Sequence, residues 1–324
     1  MSHPLLSVLL ITTIMAGISS KAHEIPLVRL DSMLSAAHDD SIAIKSLTDS
    51  LRPAVITMSR IGITANDSWQ GLHEYAQSRA FTFFEPEVKA RLDSIPFSTG
   101  ITATINRLDS LLPGILIPRH IYGIITPYNQ TVMNVDSIML IGMNHYLGHD
   151  YEAYKYFEPY IRRQKEARLL PYHVAESLIQ QSFPMTPDSS ATALTHMLHD
   201  GAVTAATMAS VPGASLACAG GWTAEELSWL QTHEEELWKE MVDRKMLEST
   251  DRRLITNLLA PSPATIMFGN HAPGRTGRYI GYRLIQTYID RHPDIQLSSL
   301  LSHDFMRQHH REIINEYTDN NKSR

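Results

Sequence analysis

Between residues 115 and 143 the chain changes its texture, and that change restricts the fold more than any other feature. Residues 121–125 (Ile-Tyr-Gly-Ile-Ile) are apolar and rich in β-branched side chains. Pro127-Tyr128-Asn129-Gln130 has turn composition, residues 131–135 are again extended in character, and Asp136-Ser137 leads into residues 138–142 (Ile-Met-Leu-Ile-Gly). Short apolar runs separated by turn residues read as a small sheet. A chain that breaks its pattern once, near the middle, is left with helices on either side.

Those helices show in the apolar period. Leu27, Leu30, Met33 and Leu34, then Ile44, Leu47, Leu51 and Val55, recur at helical spacing. Further candidates cover 68–78, 86–92 and 101–112, the last stopped by Pro113-Gly114. Beyond Asp150 they cover 166–181, ended by Phe183-Pro184, and 190–209. Thr223-Ala-Glu-Glu226 is a capping box, in which the hydroxyl and the carboxylate satisfy free amides at a helix start. Leu227, Leu230, Leu237 and Met241 then form one stripe; residues 276–291 place Ile280, Leu284, Ile285 and Tyr288 on one face; a short helix covers 303–316. The expected fold is mainly α with a small β-sheet (α+β). Residues 23–317 form one domain (helical 26–115, sheet 116–143, helical 151–317), and 318–324 a polar tail.

The N-terminus sets the compartment. Residues 5–18 form an uncharged apolar run, followed by Ser20-Lys21-Ala22 with small residues where a signal peptidase reads. That is a secretory leader, cleaved after Ala22; its run falls short of the roughly 20 residues a membrane-spanning helix needs. The net charge of −6 and the lack of a basic block argue against nucleic acid as a partner. A single cysteine, Cys218, excludes an internal disulfide and a cysteine-based zinc site.

Sixteen histidines invite a search for metal ligands. A zinc peptidase needs H-E-x-x-H on a helix, and the chain has none. His145 and His149 are separated by Leu147-Gly148, which reads as a turn; His196 and His199 stand three apart beside Asp200; His303, His309 and His310 read as solvated. No metal, cofactor or catalytic residue is assigned. Cys218 lies in a small-residue stretch that reads as packing or loop, and no G-x-S-x-G elbow is present. Residues 272–279 place Gly274, Gly277, Arg275 and Arg278 just before a helix. Free amides and guanidinium groups there suit an anion or carboxylate, and a plain turn, with Gly277 and Gly281 for close helix packing, suits the same stretch.

Taken in order, several strings resemble the gliding-motility lipoprotein GldB family of Bacteroidetes. They are Ile125-Thr-Pro-Tyr-Asn-Gln130, Ile141-Gly-Met-Asn-His-Tyr-Leu-Gly148 with Asp150-Tyr151, Tyr160-Ile-Arg-Arg163, Ala175-Glu176, His199-Asp-Gly201, Glu236-Leu-Trp-Lys239, Leu247-Glu-Ser-Thr-Asp251, and the Pro273-Gly-Arg run through Gly281. The resemblance extends to a zincin-like scaffold lacking the metal motif: H-E-x-x-H would fall on residues 175–179, where only Glu176 matches, and the later acid–Gly step on Asp200-Gly201. It implies a degenerate metallopeptidase-like, non-catalytic exported protein, periplasmic or associated with the outer membrane. Its partner would be another envelope component, unnamed by the sequence. The old groove would survive as a cleft holding His173, Glu176, His196, His199, Asp200, Arg275, Arg278 and Tyr279. The alternative is a zincin-like metal-dependent peptidase with atypical ligands, drawn from His173, His196 or His199. The family's lipid-attachment cysteine is missing, which leaves membrane association open. Asp-Ser followed by an apolar residue, at Asp31, Asp40, Asp49, Asp93, Asp109 and Asp136, is similar to an O-glycosylation sequon of exported Bacteroidetes proteins; the same pairs also serve as helix caps.

Overall fold

The computed structural model describes residues 23–37, 39–185 and 190–322. Residues 1–22, read from sequence as a secretory leader, lie outside them. No helix among the described residues is long and apolar enough to cross a membrane.

The sheet carries the strand order β1 (Leu27–Arg29), β2 (His120–Ile124), β4 (Ile138–Gly142), β3 (Val132–Val135). β1, β2 and β4 run parallel, and β3 returns antiparallel on β4 to form one edge. The three runs expected from sequence are β2, β3 and β4. β1 was expected to open a helix, and the structure corrects this: Leu27 pairs with Ile121 and Arg29 with Gly123. A three-residue strand is too short to show alternation, and its ladder partner lies far downstream, so local periodicity favoured the helix that starts at Leu30.

Between β1 and β2 run α1 (Leu30–Ala37), α2 (Ser41–Ser50), α3 (Arg52–Arg60), α4 (Trp69–Ala76), α5 (Arg79–Leu92) and α6 (Phe97–Leu111). After the sheet come α7 (Pro159–Arg162), α8 (Leu170–Ser182), α9 (Ala193–Ser210), α10 (Leu216–Gly220), α11 (Ala224–Thr232), α12 (Glu234–Asp243), α13 (Arg252–Leu259), α14 (Thr276–Arg291), α15 (Leu297–Leu300) and α16 (His303–Lys322). The mainly α fold with a small sheet is therefore observed. Three boundaries differ from the sequence reading. α5 begins about two turns before residue 86, because the Ser78 hydroxyl caps it by accepting from Phe81 N at 3.2 Å. The stripe from Leu227 to Met241 is split between α11 and α12 at His233. The last helix runs to Lys322, through residues read as a tail, because fully buried Tyr317 holds its far half down.

The core is a contiguous apolar cluster in which α6 and α8 lie against the sheet side and α9 and α14 fill the other half. β3 is tied to α8 by Asn134, whose Nδ2 donates to Ser177 Oγ at 2.7 Å. α9 and α14 cross where Gly201 meets Gly281: a Cβ on Gly201 would lie 2.2 Å from the Gly281 carbonyl carbon, and one on Gly281 would lie 1.9 Å from Met197 O. No side chain fits at that crossing. Close packing was expected of Gly281; its opposite number, Gly201, follows the acid of the acid–Gly step.

The motif strings at residues 125–130 and 141–148 are structural. Thr126 N donates to Asn144 Oδ1 and Asn144 Nδ2 donates back to Thr126 O, both at 2.9 Å. Tyr75 clips the same loop, its hydroxyl accepting from Ile125 N at 2.9 Å and donating to Ile125 O at 2.7 Å. His145 Nε2 donates to Tyr128 O at 2.7 Å, so its Nδ1 is left to accept from buried Lys165 at 2.7 Å. Burial, followed by the Lys165 charge, lowers the His145 pKa to about 4. Burial lowers Lys165 to about 8. Asp40 caps α2, accepting from Ile42 N at 2.8 Å, and Asp31 is buried against Arg29; at these two the Asp-Ser pair serves the fold.

Candidate functional site

The α9–α14 crossing brings charge into the interior. Arg278, in the first turn of α14, is 2 % exposed. Its Nε donates to Thr204 Oγ1 of α9 at 2.8 Å and its Nη1 to Glu176 Oε1 of α8 at 3.0 Å, with Asp200 Oδ1 at 4.0 Å. Its Nη2 is buried with no partner among the described residues. Burial acts to lower the Arg278 pKa, but Asp200 and Glu176 outweigh it and the group is raised. For Glu176 burial acts upward, and Arg278 and Arg275 more than cancel it, so the carboxylate is held below its ordinary range. Both groups are ionised near neutrality.

Arg275 is different. It sits at the N-cap of α14 with φ +62°, a left-handed conformation that is uncommon for a side chain of this size. Nη1 donates to Gly220 O at 3.0 Å, while Nε is buried and unpartnered. Among the described residues no carboxylate lies within ion-pair distance of it. Burial, then repulsion from Arg278, lowers its pKa to about 10, against the pull of Glu176 and Asp200. The small residues before it have a purpose here. Gly221, at φ +79°, closes α10, and a Cβ there would stand 2.5 Å from Arg275 Nη1. Trp222 follows, its Nε1 donating to Gly274 O at 2.9 Å.

Arg275 faces a recess that Tyr160, Arg163, Gln164 and Ser262 also line. Arg163, Gln164 and Gly221 carry that recess into an open cavity of about 370 Å³, bounded further by Arg168, Cys218 and Trp222. Arg163 is held by the capping box of α11: Glu226 closes the box with Thr223 through Oε2 and accepts Arg163 Nη1 at 2.8 Å through Oε1. Arg163 Nε is a further buried donor without a partner. Cys218 accepts from Arg168 Nη1 at 2.9 Å.

Of the residues read from sequence as one cleft, the structure gathers His173, Glu176, Asp200, Arg275 and Arg278. His173 Nδ1 meets Tyr146 OH at 3.0 Å. Burial, with Arg275, Lys165 and Arg278 added, lowers its pKa to about 4 against the pull of Glu176. His199 lies elsewhere, its Nε2 donating to Phe183 O at 2.9 Å, and His196 stays half-buried on the same helix. Tyr279 turns to a separate hub, where Glu234 accepts from Tyr279 OH at 2.6 Å, Arg283 Nε at 3.0 Å and Tyr317 OH at 2.9 Å. The wall formed by Arg163, Gln164, Gly221 and Trp222 was not assigned from sequence; the signal was available in the Arg162-Arg163 pair and in the capping-box acid that reaches it. His303, His309 and His310, read as solvated, are all partly exposed, and His309 also stacks on Phe305 at 4.2 Å.

The residues at 175–179 do not fit a catalytic zinc. Ala175, Leu178 and Ile179 are fully buried apolar side chains, and Glu176 is committed to Arg278. A catalytic zinc requires three protein ligands and an open position.

Fold and site together define a mainly helical α+β protein with an arginine-rich, carboxylate-balanced recess. The family described as gliding motility protein GldB matches residues 14–317, and the chain belongs to that family. No curated protein and no solved structure matches the chain, and the zincin likeness has no match behind it.

Proposed function

We propose that this chain is an exported envelope protein of the gliding-motility lipoprotein type that acts by binding rather than by catalysis. Its recess at Arg163 and Arg275, with Arg278 buried behind it, takes an acidic group of another envelope component. Family membership supports the envelope setting. The observation that carries the binding reading is Arg275: a cation held in a left-handed conformation at a helix start, with a buried donor left over and no carboxylate within ion-pair distance among the described residues. A guanidinium in that state is poised for a carboxylate or phosphate, which it would meet with charge-assisted hydrogen bonds. Strained and under-satisfied groups concentrate at binding sites because the surrounding fold holds them there.

Affinity capture from envelope extracts tests the reading. The wild-type protein is expected to recover a defined component that Arg275→Gln does not, at an unchanged urea midpoint. Equal recovery by the variant would remove the recess from the account. Zinc-dependent peptide hydrolysis by the wild-type protein would overturn the non-catalytic part and move attention to His173, His196 and His199.

A further inference from the structure

We propose a second, independent site: a divalent metal site of the zinc type where the end of α14 meets α16, with His292, Glu312 and Glu316 as ligands. His292 is the residue that ends α14, and Glu312 and Glu316 stand one turn apart on α16, so all three project into one gap. One ligand atom from each lies within 4.8 Å of the other two. Zinc holds nitrogen and carboxylate oxygen at roughly 2.0–2.2 Å, so the three reach a common ion by side-chain rotation, with both helices left in place.

The surroundings prepare these groups. His292 Nε2 lies 2.8 Å from Glu316 Oε1, while Glu316 Oε2 is buried and has no partner among the described residues. An ion pair with the imidazole uses one carboxylate oxygen and leaves the second, out of water, unexplained; a cation in the gap would satisfy it. Glu312 is positioned from behind, its Oε2 accepting from His309 Nδ1 at 2.9 Å and Tyr288 OH at 3.4 Å. Partners of this kind orient a ligating carboxylate and hold its charge in place. The His292 ring packs on Tyr288 at 4.2 Å, which keeps the imidazole beside the gap while the side chains adjust. With the imidazole neutral, two carboxylates face the gap, and a divalent ion balances them. One imidazole with two carboxylates suits zinc; magnesium and calcium favour all-oxygen shells. The site leaves a coordination position to solvent. It also joins the last helix to the body, so occupancy stabilises the native state by mass action.

The test is a zinc chloride titration of the purified protein by calorimetry, with thermal melts in parallel. One equivalent and a raised Tm are expected, and millimolar magnesium should not displace the zinc. Glu316→Gln and His292→Gln should each weaken binding by about tenfold or more and abolish the Tm rise. Glu312→Gln provides a third variant in case one of these folds poorly. No saturable zinc binding by the wild-type protein overturns the site. So does binding that survives Glu316→Gln and His292→Gln in folded protein, since the zinc would then be held elsewhere.

Discussion

Two buried polar assemblies meet at His173, and they differ in how completely they are satisfied. On the sheet side, Thr126, Asn144, His145, Lys165 and Tyr154 exchange hydrogen bonds until none of their buried side-chain polar atoms is left over; Tyr154 OH donates to Asn144 O. On the helix side, Arg163, Arg275 and Arg278 each keep a buried nitrogen without a partner. Burying a polar group without a partner costs about 1–3 kcal/mol, so selection for stability alone would have closed the second assembly as it closed the first. The first is scaffold. The second is where we propose that a group from outside the chain binds.

The comparison can be broken most forcefully at Arg278. Arg278→Met removes the partner of a buried carboxylate and should destabilise the protein by about 3–5 kcal/mol, read as a fall in urea midpoint. A loss below 1 kcal/mol would mean that Glu176 is solvated and the cluster less buried than drawn. Next is the crossing beneath it. Gly201→Ala places a methyl against backbone and should cost at least about 1–3 kcal/mol, with the near-ultraviolet circular dichroism altered as the helices separate. In the satisfied assembly, Asn144→Ala strands both Thr126 backbone groups and should cost about 1–3 kcal/mol, leaving ligand capture by the folded fraction unchanged.

Acid is expected to act through His145 and His173. Both stay neutral in the folded protein down to about pH 4, whereas in the unfolded chain they take up protons near pH 6.5. Depressed histidines contribute stability that is present above the unfolded value. It is lost as pH falls from about 6.5 toward 4, by about 1.4 kcal/mol per histidine per pH unit at most. Urea midpoints at pH 7, 5.5 and 4.5 should fall in step, and His173→Gln should flatten the slope. The smallest effect falls on the unsatisfied side: Arg275→Gly relieves the left-handed conformation and should leave stability level or raise it by up to about 1 kcal/mol, while ending capture. A variant gaining stability as it loses function is what a strained binding group implies.

Much of the fold was legible in the chain. β2, β3 and β4 showed as short runs between turn residues, and α14 showed as a four-residue apolar stripe bounded by Thr276 and Pro293. β1 did not show, because its only justification is a ladder with residues 121–123. Of the candidate site, Arg275 and Arg278 were legible as charges at a helix start, while Glu176 and Asp200 entered through the family resemblance. Their mutual contacts were not, since these depend on the Gly201–Gly281 approach. Tyr279 was misplaced by one step around α14: neighbours on a helix point about 100° apart, so the residue after Arg278 faces Glu234. Arg163 was missed as a wall because its role is assigned by Glu226, a residue that reads locally as a cap and nothing more.

The Gly201–Gly281 contact has a mechanical side. Where two helices touch backbone to backbone, neither can slide along the other without lifting away, so the crossing acts as an axle and leaves rotation as the soft motion. Arg278 lies less than one turn from that axle and Asp200 is adjacent to it. A load applied to Arg278 through a bound partner would therefore be passed to α9 and α14 as a torque, with little stretching of the ion pair itself. In the bound state proposed here, such a joint would transmit force while its charges stay in register.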